Sequence, residues 1–133
     1  MVKDKDLTDK VIFKGLVRDI PDHIKDSKAF VMTSDFEGLP NALIEAMACG
    51  LTCITTDCSP GGARELISNN VNGVIVPCGN PTKFADAVVN LLNNPDVADA
   101  MGREAQKITE KLNPEVIYSQ WIEYIEEIIS NYV

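Results

Sequence analysis

Two glutamates, Glu37 and Glu45, stand eight positions apart in the segment of the chain whose residue types best suit ligand chemistry. A carboxylate accepts two hydroxyl hydrogen bonds at once, which suits the vicinal diol of a ribose or a hexose. If the residues between them are helical, with a rise of ~1.5 Å per residue, the two side chains lie up to ~12 Å apart. That span would place one carboxylate at each end of a bound pyrophosphate.

A simpler interpretation of these glutamates stays open. Acidic residues near the start of a helix are favoured by the helix dipole alone, with no ligand involved. Glu45, however, is predicted to lie inside a helix among small and apolar residues, and a lone buried carboxylate is costly unless something compensates it. The residues by themselves therefore leave a phosphate-ligand site as one of two alternatives.

The turn that would carry Glu37 follows a predicted strand. An apolar run ends at Ser34, a tight turn continues through Gly38, a helix is predicted to begin near Pro40, and Gly50 has the position of a left-handed helix cap. In a doubly wound sheet, ligands bind in the crevice beyond the carboxyl ends of the strands. The first N–H groups of the following helix are unpaired there and carry a positive partial charge, so the turn is predicted to bind an anion such as a phosphate.

The elements around this turn predict the fold class. Four short apolar runs have the composition of buried parallel strands, at residues 11–17, 29–34, 51–56 and 73–77. Their alternation with helical patterns predicts right-handed crossovers and an α/β fold with a doubly wound, Rossmann-like parallel sheet of about four strands. No linker divides the chain, so residues 1–133 are predicted to form one domain.

Three Asn-Pro pairs mark predicted helix starts, because asparagine caps free N–H groups and proline at the first helical position lacks the N–H that would go unpaired. They predict helices over residues 81–92, 95–112 and 114–131, and a shorter helix is predicted near residues 21–27. The last long helix carries an apolar stripe that includes Trp121, and such a stripe usually packs on its own domain.

Composition excludes several classes of function. The chain has 133 residues, a net charge of −8 and 45% apolar residues, which is typical of a globular domain and not of a disordered or fibrous chain. No apolar run reaches the ~18 residues of a membrane span, and the polar start excludes a secretory signal. The acidic balance, without a basic cluster, argues against nucleic acid and anionic lipid. A cytoplasmic location is therefore expected.

The cysteines and the single histidine offer little chemistry. The four cysteines have spacings of four, five and twenty residues, which do not suit a zinc site, so they are predicted to be buried free thiols in a reducing compartment. His23 is the only histidine, and its polar neighbours favour a solvated position on a helix over a catalytic role. No metal ligand set is predicted.

Residues 37–50, EGLPNALIEAMACG, resemble the Glu-x7-Glu signature of retaining glycosyltransferases of the GT-B fold, and more narrowly of family 4, the "glycosyl transferases group 1" domain. Further stretches resemble this family in the same order along the chain. They are VIFKG at residues 11–15, SPGGARELI at 59–67, NGVIVP at 72–77, the helix at 80–94 and Met101-Gly102. A lone Glu-x7-Glu pattern is weak, but several blocks in the family's order are a specific resemblance.

The resemblance implies a donor-binding role for these residues, with a nucleotide sugar as substrate and no further cofactor. Glu37 would be the catalytic group, holding hydroxyls of the transferred sugar near its anomeric centre, and Glu45 would bind the ribose diol. The segment between these glutamates would also contact the donor. The nucleobase would be bound near Gly15 and Arg18. In that segment the backbone N–H groups are those of Gly38, Leu39 and Asn41, whereas Pro40 has none to give.

The resemblance also implies that this chain is the C-terminal part of a larger enzyme. Family members have a second Rossmann-like domain that binds the acceptor, and this chain is expected to lack that N-terminal domain and the first strands of its own. The implied substrate is a UDP- or GDP-sugar, and the implied acceptor is a glycan, a lipid-linked sugar or a surface polysaccharide. The isolated chain is then expected to be inactive, and an exposed sheet edge to favour self-association.

A bacterial-type enzyme of this kind would act in the cytoplasm or at the inner face of the membrane. The family typically positions the diphosphate with basic groups and a helix dipole, so no metal is implied. The main alternative is a non-catalytic interaction module, or an inactive remnant that keeps the fold. A related epimerase or phosphorylase is disfavoured by residues 61–65, GGARE.

Overall fold

The fold is described by a computed structural model that covers residues 1–132. Its strands are β1 (Phe30–Met32), β2 (Phe36–Glu37), β3 (Cys53–Asp57), β4 (Ser59–Pro60) and β5 (Val74–Pro77). The main sheet has three parallel strands in the order β1–β3–β5, and a second parallel sheet joins β2 to β4. Ile54 in the central strand lies opposite Val31 on one side and Val74 on the other, which fixes the register of the main sheet.

Helices cover both faces of the main sheet. They are α1 (Ile20–Ile24), α2 (Asn41–Ala48), α3 (Gly62–Leu66), α4 (Pro81–Asn93), α5 (Pro95–Gln106), α6 (Ile108–Lys111) and α7 (Pro114–Tyr132). Successive side chains of β3 point to opposite faces, so Cys53 packs with α2, α3 and α6, and Ile54 packs with α4 and α5. This arrangement confirms the predicted α/β class with a doubly wound parallel sheet.

The strand order also indicates where a ligand crevice belongs. Both α2 and α3 cross from one strand to the next on the same face, so the sheet runs in one direction from β1 to β5. Within residues 1–132 this order does not reverse, and the outer edge of β1 pairs with no other residue. In open α/β sheets ligands bind beyond the carboxyl ends of the strands, which is where the loop after β1 lies.

The prediction of a strand over residues 11–17 was wrong. Three of the four predicted runs overlap with β1, β3 and β5, but residues 11–17 have no regular structure. Their apolar side chains stay largely exposed, with Phe13 at 81% and Leu16 at 102% of full accessibility. An apolar, β-branched run becomes a strand only when a neighbouring strand completes its hydrogen bonds, and no described residue pairs with this one.

The Asn-Pro pairs predicted correctly where three helices begin, but predicted correctly only two of the three asparagine side chains that would cap them. All three helices begin at the proline, as predicted, although the helix predicted over 95–112 is divided into α5 and α6. The side chains of Asn80 and Asn113 accept hydrogen bonds from the N–H groups of Lys83 and Glu115. The side chain of Asn94 instead donates to the carbonyl of Asn90 in the preceding helix, so the prediction that Asn94 caps α5 was wrong.

A close backbone contact holds α5 against the end of α2. Gly50 has a φ of +75° and ends the helix in the left-handed conformation predicted from sequence. Its carbonyl oxygen lies so close to Gly102 of α5 that a β-carbon added there would be 2.2 Å away. Only glycine fits at Gly102, and this contact brings α5 close enough for the hydroxyl of Thr52 to donate to the carbonyl of Ala98.

The last helix, α7, is 19 residues long and buries none of them within the described part of the chain, where Ile117 is half-buried and the others are exposed. At 100° per residue, its apolar side chains apart from Val116 fill an arc of about 160°, and its glutamates lie outside that arc with Val116. The prediction that the stripe packs on its own domain was therefore wrong, since Trp121 is 60% exposed and contacts Tyr124 of the same helix edge to face.

No described helix combines the length and the apolar character that a membrane crossing requires.

The four cysteines are free thiols, as predicted, but they are not all buried. Cys53 and Cys58 are buried, Cys49 is half-buried, and Cys78 is exposed, which corrects the prediction for that residue. Burial raises the pKa of the Cys53 thiol to about 12, with a smaller contribution from nearby Cys49. A thiol with this pKa is protonated at neutral pH and is a poor nucleophile.

Alkylation of the folded chain should therefore be strongly selective. With iodoacetamide at pH 8, Cys78 should react rapidly, and Cys53 should react about 10³-fold more slowly because so little of it is thiolate. Mass spectrometry of peptides taken along a time course measures both rates. All four cysteines should react alike in urea, and equal rates for Cys53 and Cys78 in the folded chain would contradict the burial of Cys53.

Candidate functional site

The loop that follows β1 is tied to the loop that follows β3. Phe36 and Glu37 of β2 pair in parallel with Ser59 and Pro60 of β4, directly beyond the carboxyl ends of the main strands. The two short strands therefore join neighbouring loops at the edge of the sheet where a ligand is expected. This pairing fixes the backbone on which Glu37 is carried.

The same loop is held from its other side by the start of α3. A β-carbon added at Gly62 would lie 1.6 Å from the carbonyl oxygen of Gly38 and 3.1 Å from the α-carbon of Leu39. The backbones of the loop and the helix are thus in direct contact, with room for no side chain at Gly62. The position of Gly38 depends on this contact as much as on its own sequence.

The carboxylate of Glu37 is half-buried and held by a hydrogen bond. The hydroxyl of Ser34 donates to its Oε1 over 2.8 Å. The hydroxyl of Thr56, a buried residue of β3, donates in turn to the carbonyl of Ser34 over 2.5 Å. A chain of hydrogen bonds therefore links Glu37 to the central strand, and this fixes the orientation of the carboxylate before any ligand binds.

The sequence analysis assigned no role to Ser34 or Thr56. A signal for Ser34 was present, because serine three residues before glutamate is a spacing at which short polar side chains form local hydrogen bonds. No such signal exists for Thr56, which is 22 residues away along the chain and meets Ser34 only because β1 and β3 are neighbours.

The start of α2 leaves backbone donors at the same edge. Pro40 is buried in the N-cap position, and its carbonyl accepts from the N–H groups of both Leu43 and Ile44. The N–H groups of Asn41 and Ala42 come before these and have no acceptor within the helix. The eight-residue helix thus presents donors and the positive end of its dipole beside Glu37.

Glu45 lies on the exposed side of α2, so the expectation of a buried carboxylate was wrong. Leu43, Ala46 and Met47 form the buried face of the helix, and Glu45 faces solvent on the side that also carries Asn41, one turn away. An exposed carboxylate carries no burial penalty, so no ligand is needed to explain it. It is, however, freely accessible to a ligand that approaches the start of α2.

The structure does not bring every predicted residue to this loop. Glu37, Gly38, Leu39, Pro40, Asn41 and Glu45 are contiguous in β2, the turn and α2. Gly15 and Arg18 lie in the irregular segment before α1, where Gly15 has a φ of +63° and Arg18 is exposed. No hydrogen bond or ion pair of the described residues joins either of them to the loop.

The basic residues near the loop are few, and one is already paired. Arg64 of α3 donates from Nε and Nη2 to the two carboxylate oxygens of Asp57, at the end of β3, each over 2.5 Å. These hydrogen bonds hold the pKa of Asp57 below its usual range and raise the pKa of Arg64. Arg64 is therefore already paired with Asp57. Lys14 and Arg18 are exposed and lie in the segment before α1.

The Asp57–Arg64 pair predicts a pH dependence with a defined sign. Because the pKa of Asp57 is lowered on folding, the pair stabilises the fold above the unfolded-state pKa of ~3.9, and this contribution disappears as the pH falls through the lower folded-state value. The free energy of unfolding, measured in urea, should therefore be lower for Arg64→Gln than for the wild type at pH 6, and the two values should converge near pH 2. Arg103→Gln is the matched control, and a constant difference at both pH values would contradict the pairing.

Within residues 1–132, the structure has no group of three or more histidine, cysteine, aspartate or glutamate side chains placed to hold a metal ion.

Known proteins resemble the chain in both sequence and structure. Residues 1–94 match the family described as glycosyl transferases group 1. Over 122 residues the chain is 31% identical to the N-acetyl-alpha-D-glucosaminyl L-malate synthase of Bacillus anthracis, a match that covers 91% of this chain and 32% of that protein. Over 123 residues it is 32% identical to the poly(ribitol-phosphate) alpha-N-acetylglucosaminyltransferase of Staphylococcus aureus (strain COL), covering 92% and 25%.

A solved structure extends the comparison to the fold. A mutant of TarM from S. aureus, in complex with fondaparinux, alpha-GlcNAc-glycerol and UDP, superimposes with a TM-score of 0.83 at 30% identity. The superposition covers 92% of this chain and 25% of that one. The chain thus spans about a quarter to a third of the length of these relatives.

Proposed function

Because the chain belongs to the glycosyl transferases group 1 family and its α/β fold matches one part of a GT-B glycosyltransferase, we propose that it is the C-terminal, donor-binding part of such an enzyme. In this proposal, residues 1–133 form one nucleotide-sugar-binding domain. The whole enzyme moves a sugar from a UDP- or GDP-sugar to a glycan, a lipid-linked sugar or a surface polysaccharide. The observation that carries the proposal is the carboxylate of Glu37, held by Ser34 at 2.8 Å beside the open start of α2.

The proposed donor pose follows from the chemistry of each group at the loop. The diphosphate accepts hydrogen bonds from the backbone at Gly38, Leu39 and Asn41, where the dipole of α2 favours negative charge. Glu45, exposed one turn further along the helix, accepts from the ribose diol. Glu37 accepts from hydroxyls of the transferred sugar and lies near its anomeric carbon.

The proposed reaction retains the configuration at the anomeric carbon. The bond from this carbon to the diphosphate oxygen breaks, and the acceptor hydroxyl forms the new glycosidic bond from the same face as its proton passes to the departing diphosphate oxygen. Positive charge develops at the sugar as the diphosphate leaves, so a fixed carboxylate at Glu37 stabilises the transition state more than the ground state. Ser34 is a positioning residue in this scheme, since its hydroxyl holds Glu37 and does not reach the sugar.

The described residues supply few free cations for the leaving diphosphate. Arg64 is paired with Asp57, and Lys14 and Arg18 lie in the segment before α1, which no hydrogen bond or ion pair of the described residues joins to the loop. We therefore expect weak donor binding, and no turnover, from the 133 residues by themselves, since the relatives are three to four times longer. Turnover by this chain that Glu37→Ala abolishes would overturn the expected inactivity.

Saturation-transfer NMR with UDP, GDP and their hexose conjugates tests the donor site. Ribose protons should receive saturation from the wild type and lose most of it in Glu45→Gln, whereas Glu37→Gln should mainly weaken contact with the hexose. Glu110→Gln, an exposed glutamate of α6, is the matched control. A folded chain that contacts no nucleotide would overturn the proposal and favour the alternative of a non-catalytic interaction module.

A further inference from the structure

Three contacts fix the loop after β1, and only one of them reaches the side chain of Glu37. The pairing of β2 with β4 and the close approach of Gly62 to Gly38 both hold backbone atoms. Among the described residues, the hydroxyl of Ser34 is the one hydrogen-bond donor to the carboxylate of Glu37, over 2.8 Å to Oε1. Glutamate has three side-chain torsions, so a fixed backbone does not fix the carboxylate. The orientation of the carboxylate therefore depends on Ser34.

Ser34 is in turn held at its carbonyl by a side chain of the central strand. Thr56 is 6% exposed, and its hydroxyl donates to this carbonyl over 2.5 Å. The peptide group after Ser34 is planar, so a fixed carbonyl oxygen also restricts the rotation of the peptide plane between Ser34 and Asp35. This restriction fixes the direction in which the β-carbon of Ser34, and with it the hydroxyl, points toward Glu37.

No other side chain among the described residues holds this carbonyl as well. The thiol of Cys78 lies 3.9 Å from the carbonyl oxygen of Ser34, and a thiol is a weak donor. Thr55, the neighbour of Thr56, points to the opposite face of the sheet, and its hydroxyl donates to the carbonyl of Thr56 over 3.3 Å. Both threonines are buried in β3, but only Thr56 is linked through its side chain to the loop.

The hydrogen bond from Ser34 also makes the two carboxylate oxygens of Glu37 unequal. Oε1 already accepts from Ser34, whereas no described residue donates to Oε2. A carboxylate can accept hydrogen bonds at both oxygens, and Oε2 is the one whose full capacity is free. The hydroxyls of a bound sugar are therefore expected at Oε2, whose position depends on the orientation that Ser34 gives to the whole group.

We propose that Thr56 is a positioning residue for the transferred sugar, because through Ser34 it orients Oε2 of Glu37 toward a sugar hydroxyl. The proposal rests on the donor site proposed above, in which Glu37 binds the sugar and Glu45 binds the ribose. Thr56 itself touches no part of the donor, and it has no link to Glu45. Loss of its hydroxyl therefore weakens the contact with the hexose and spares the contact with the nucleotide.

Donor titrations measure these two contacts separately. The Kd of UDP or GDP, divided by the Kd of its hexose conjugate, isolates the contribution of the hexose to donor affinity. Both constants come from the amide signals of α2, with the conjugate whose hexose receives the most saturation from the wild type. Thr56→Val removes the hydroxyl and keeps the shape of the side chain, and it should lower this ratio about fivefold, as for the loss of one hydrogen bond. The Kd of the nucleotide itself should change by less than about twofold.

Matched variants show whether the effect comes from the hydroxyl of Thr56. Thr56→Ser keeps a hydroxyl and should retain the wild-type ratio. Thr55→Val makes the same change at the neighbouring buried threonine, whose hydroxyl does not reach the loop, and should leave the ratio unchanged. Ser34→Ala should lower the ratio at least as much as Thr56→Val. Adding Thr56→Val to Ser34→Ala should lower it no further, because both act through one chain of hydrogen bonds.

The chain without a ligand gives an independent signature. The side-chain couplings of Ser34 should report one χ1 rotamer in the wild type and in Thr56→Ser, and an average of rotamers in Thr56→Val. Thr56 lines an open cleft, so water can reach the carbonyl of Ser34 once the hydroxyl is lost, and we expect Thr56→Val to fold. Circular dichroism checks this, and Thr56→Ala replaces a Thr56→Val chain that does not fold.

The outcomes separate this proposal from the donor site on which it rests. A lower ratio in Thr56→Val, with Thr56→Ser and Thr55→Val like the wild type, would support the role of Thr56. An unchanged ratio in Thr56→Val, an equal effect of Thr55→Val, or a wild-type ratio in Ser34→Ala would overturn that role and leave the donor site standing. A folded wild-type chain that binds no nucleotide would overturn the donor site, and with it the role of Thr56.

Discussion

Gly102→Ala is expected to lower the free energy of unfolding by about 3 kcal/mol, which is a large share of the ~5–15 kcal/mol that a domain of this kind has in total. The new β-carbon would lie 2.2 Å from the carbonyl oxygen of Gly50 and 3.2 Å from its carbonyl carbon. Both are backbone atoms at the end of α2, so no side chain can rotate away to make room. Alanine is the better helix former by up to ~1 kcal/mol, and this gain is too small to offset the collision.

Urea unfolding followed by circular dichroism measures this loss. Arg103→Ala changes the next residue of α5, which is exposed, and should stay within ~0.5 kcal/mol of the wild type. A Gly102→Ala chain as stable as the Arg103→Ala control would show that α5 does not approach Gly50 as closely as described.

Gly62→Ala should displace the loop that carries Glu37. A β-carbon there would lie 1.6 Å from the carbonyl oxygen of Gly38, so the loop and the start of α3 must separate. Because the proposed diphosphate contacts come from the backbone beside Gly38, a shift of 1 Å or more would remove them, and we expect the affinity for UDP to fall at least about tenfold. The amide signals of residues 36–39 and 41 should move even without a ligand.

The control for this variant is Glu65→Ala, which changes an exposed residue of the same short helix. It should leave both the loop amides and the UDP affinity close to the wild type. Unchanged amide signals for residues 36–39 and 41 in Gly62→Ala would contradict the contact between the loop and α3, whatever the nucleotide affinity. A changed loop with unchanged UDP affinity would instead contradict the proposed diphosphate pose.

The sequence predicted the parts of the site that are local. The strand before Ser34, the helix near Pro40 and the left-handed Gly50 follow from short-range signals, and the structure has each of them. The prediction of a tight turn from Ser34 through Gly38 was wrong, because Phe36 and Glu37 form a short strand that pairs with Ser59 and Pro60. The exposure of Glu45 could not be predicted in this way. Its neighbours are small and apolar on both sides of the helix, and only tertiary packing decides which of those sides is buried.

Contacts between distant residues explain the other differences. The need for glycine at Gly62 and the hydrogen bond from Thr56 to Ser34 arise from strand and helix neighbours that are 22 to 24 residues away along the chain. Residues 11–17 do not form a strand because no distant segment among the described residues pairs with them. Periodicity shows that a segment can be a strand, but a partner strand has to be present for its hydrogen bonds.

The exposed face of α7 affects how this chain should melt. A helix is held in a cooperative unfolding transition by the side chains that it buries, and α7 buries none within residues 1–132. Isolated helices of fewer than ~12–15 residues are marginal in water, and 19 residues give only a modest margin. The helix–coil equilibrium of α7 is therefore decoupled from the sheet, so its helicity should decline gradually on heating while the sheet, with its buried core, melts in one sharp step.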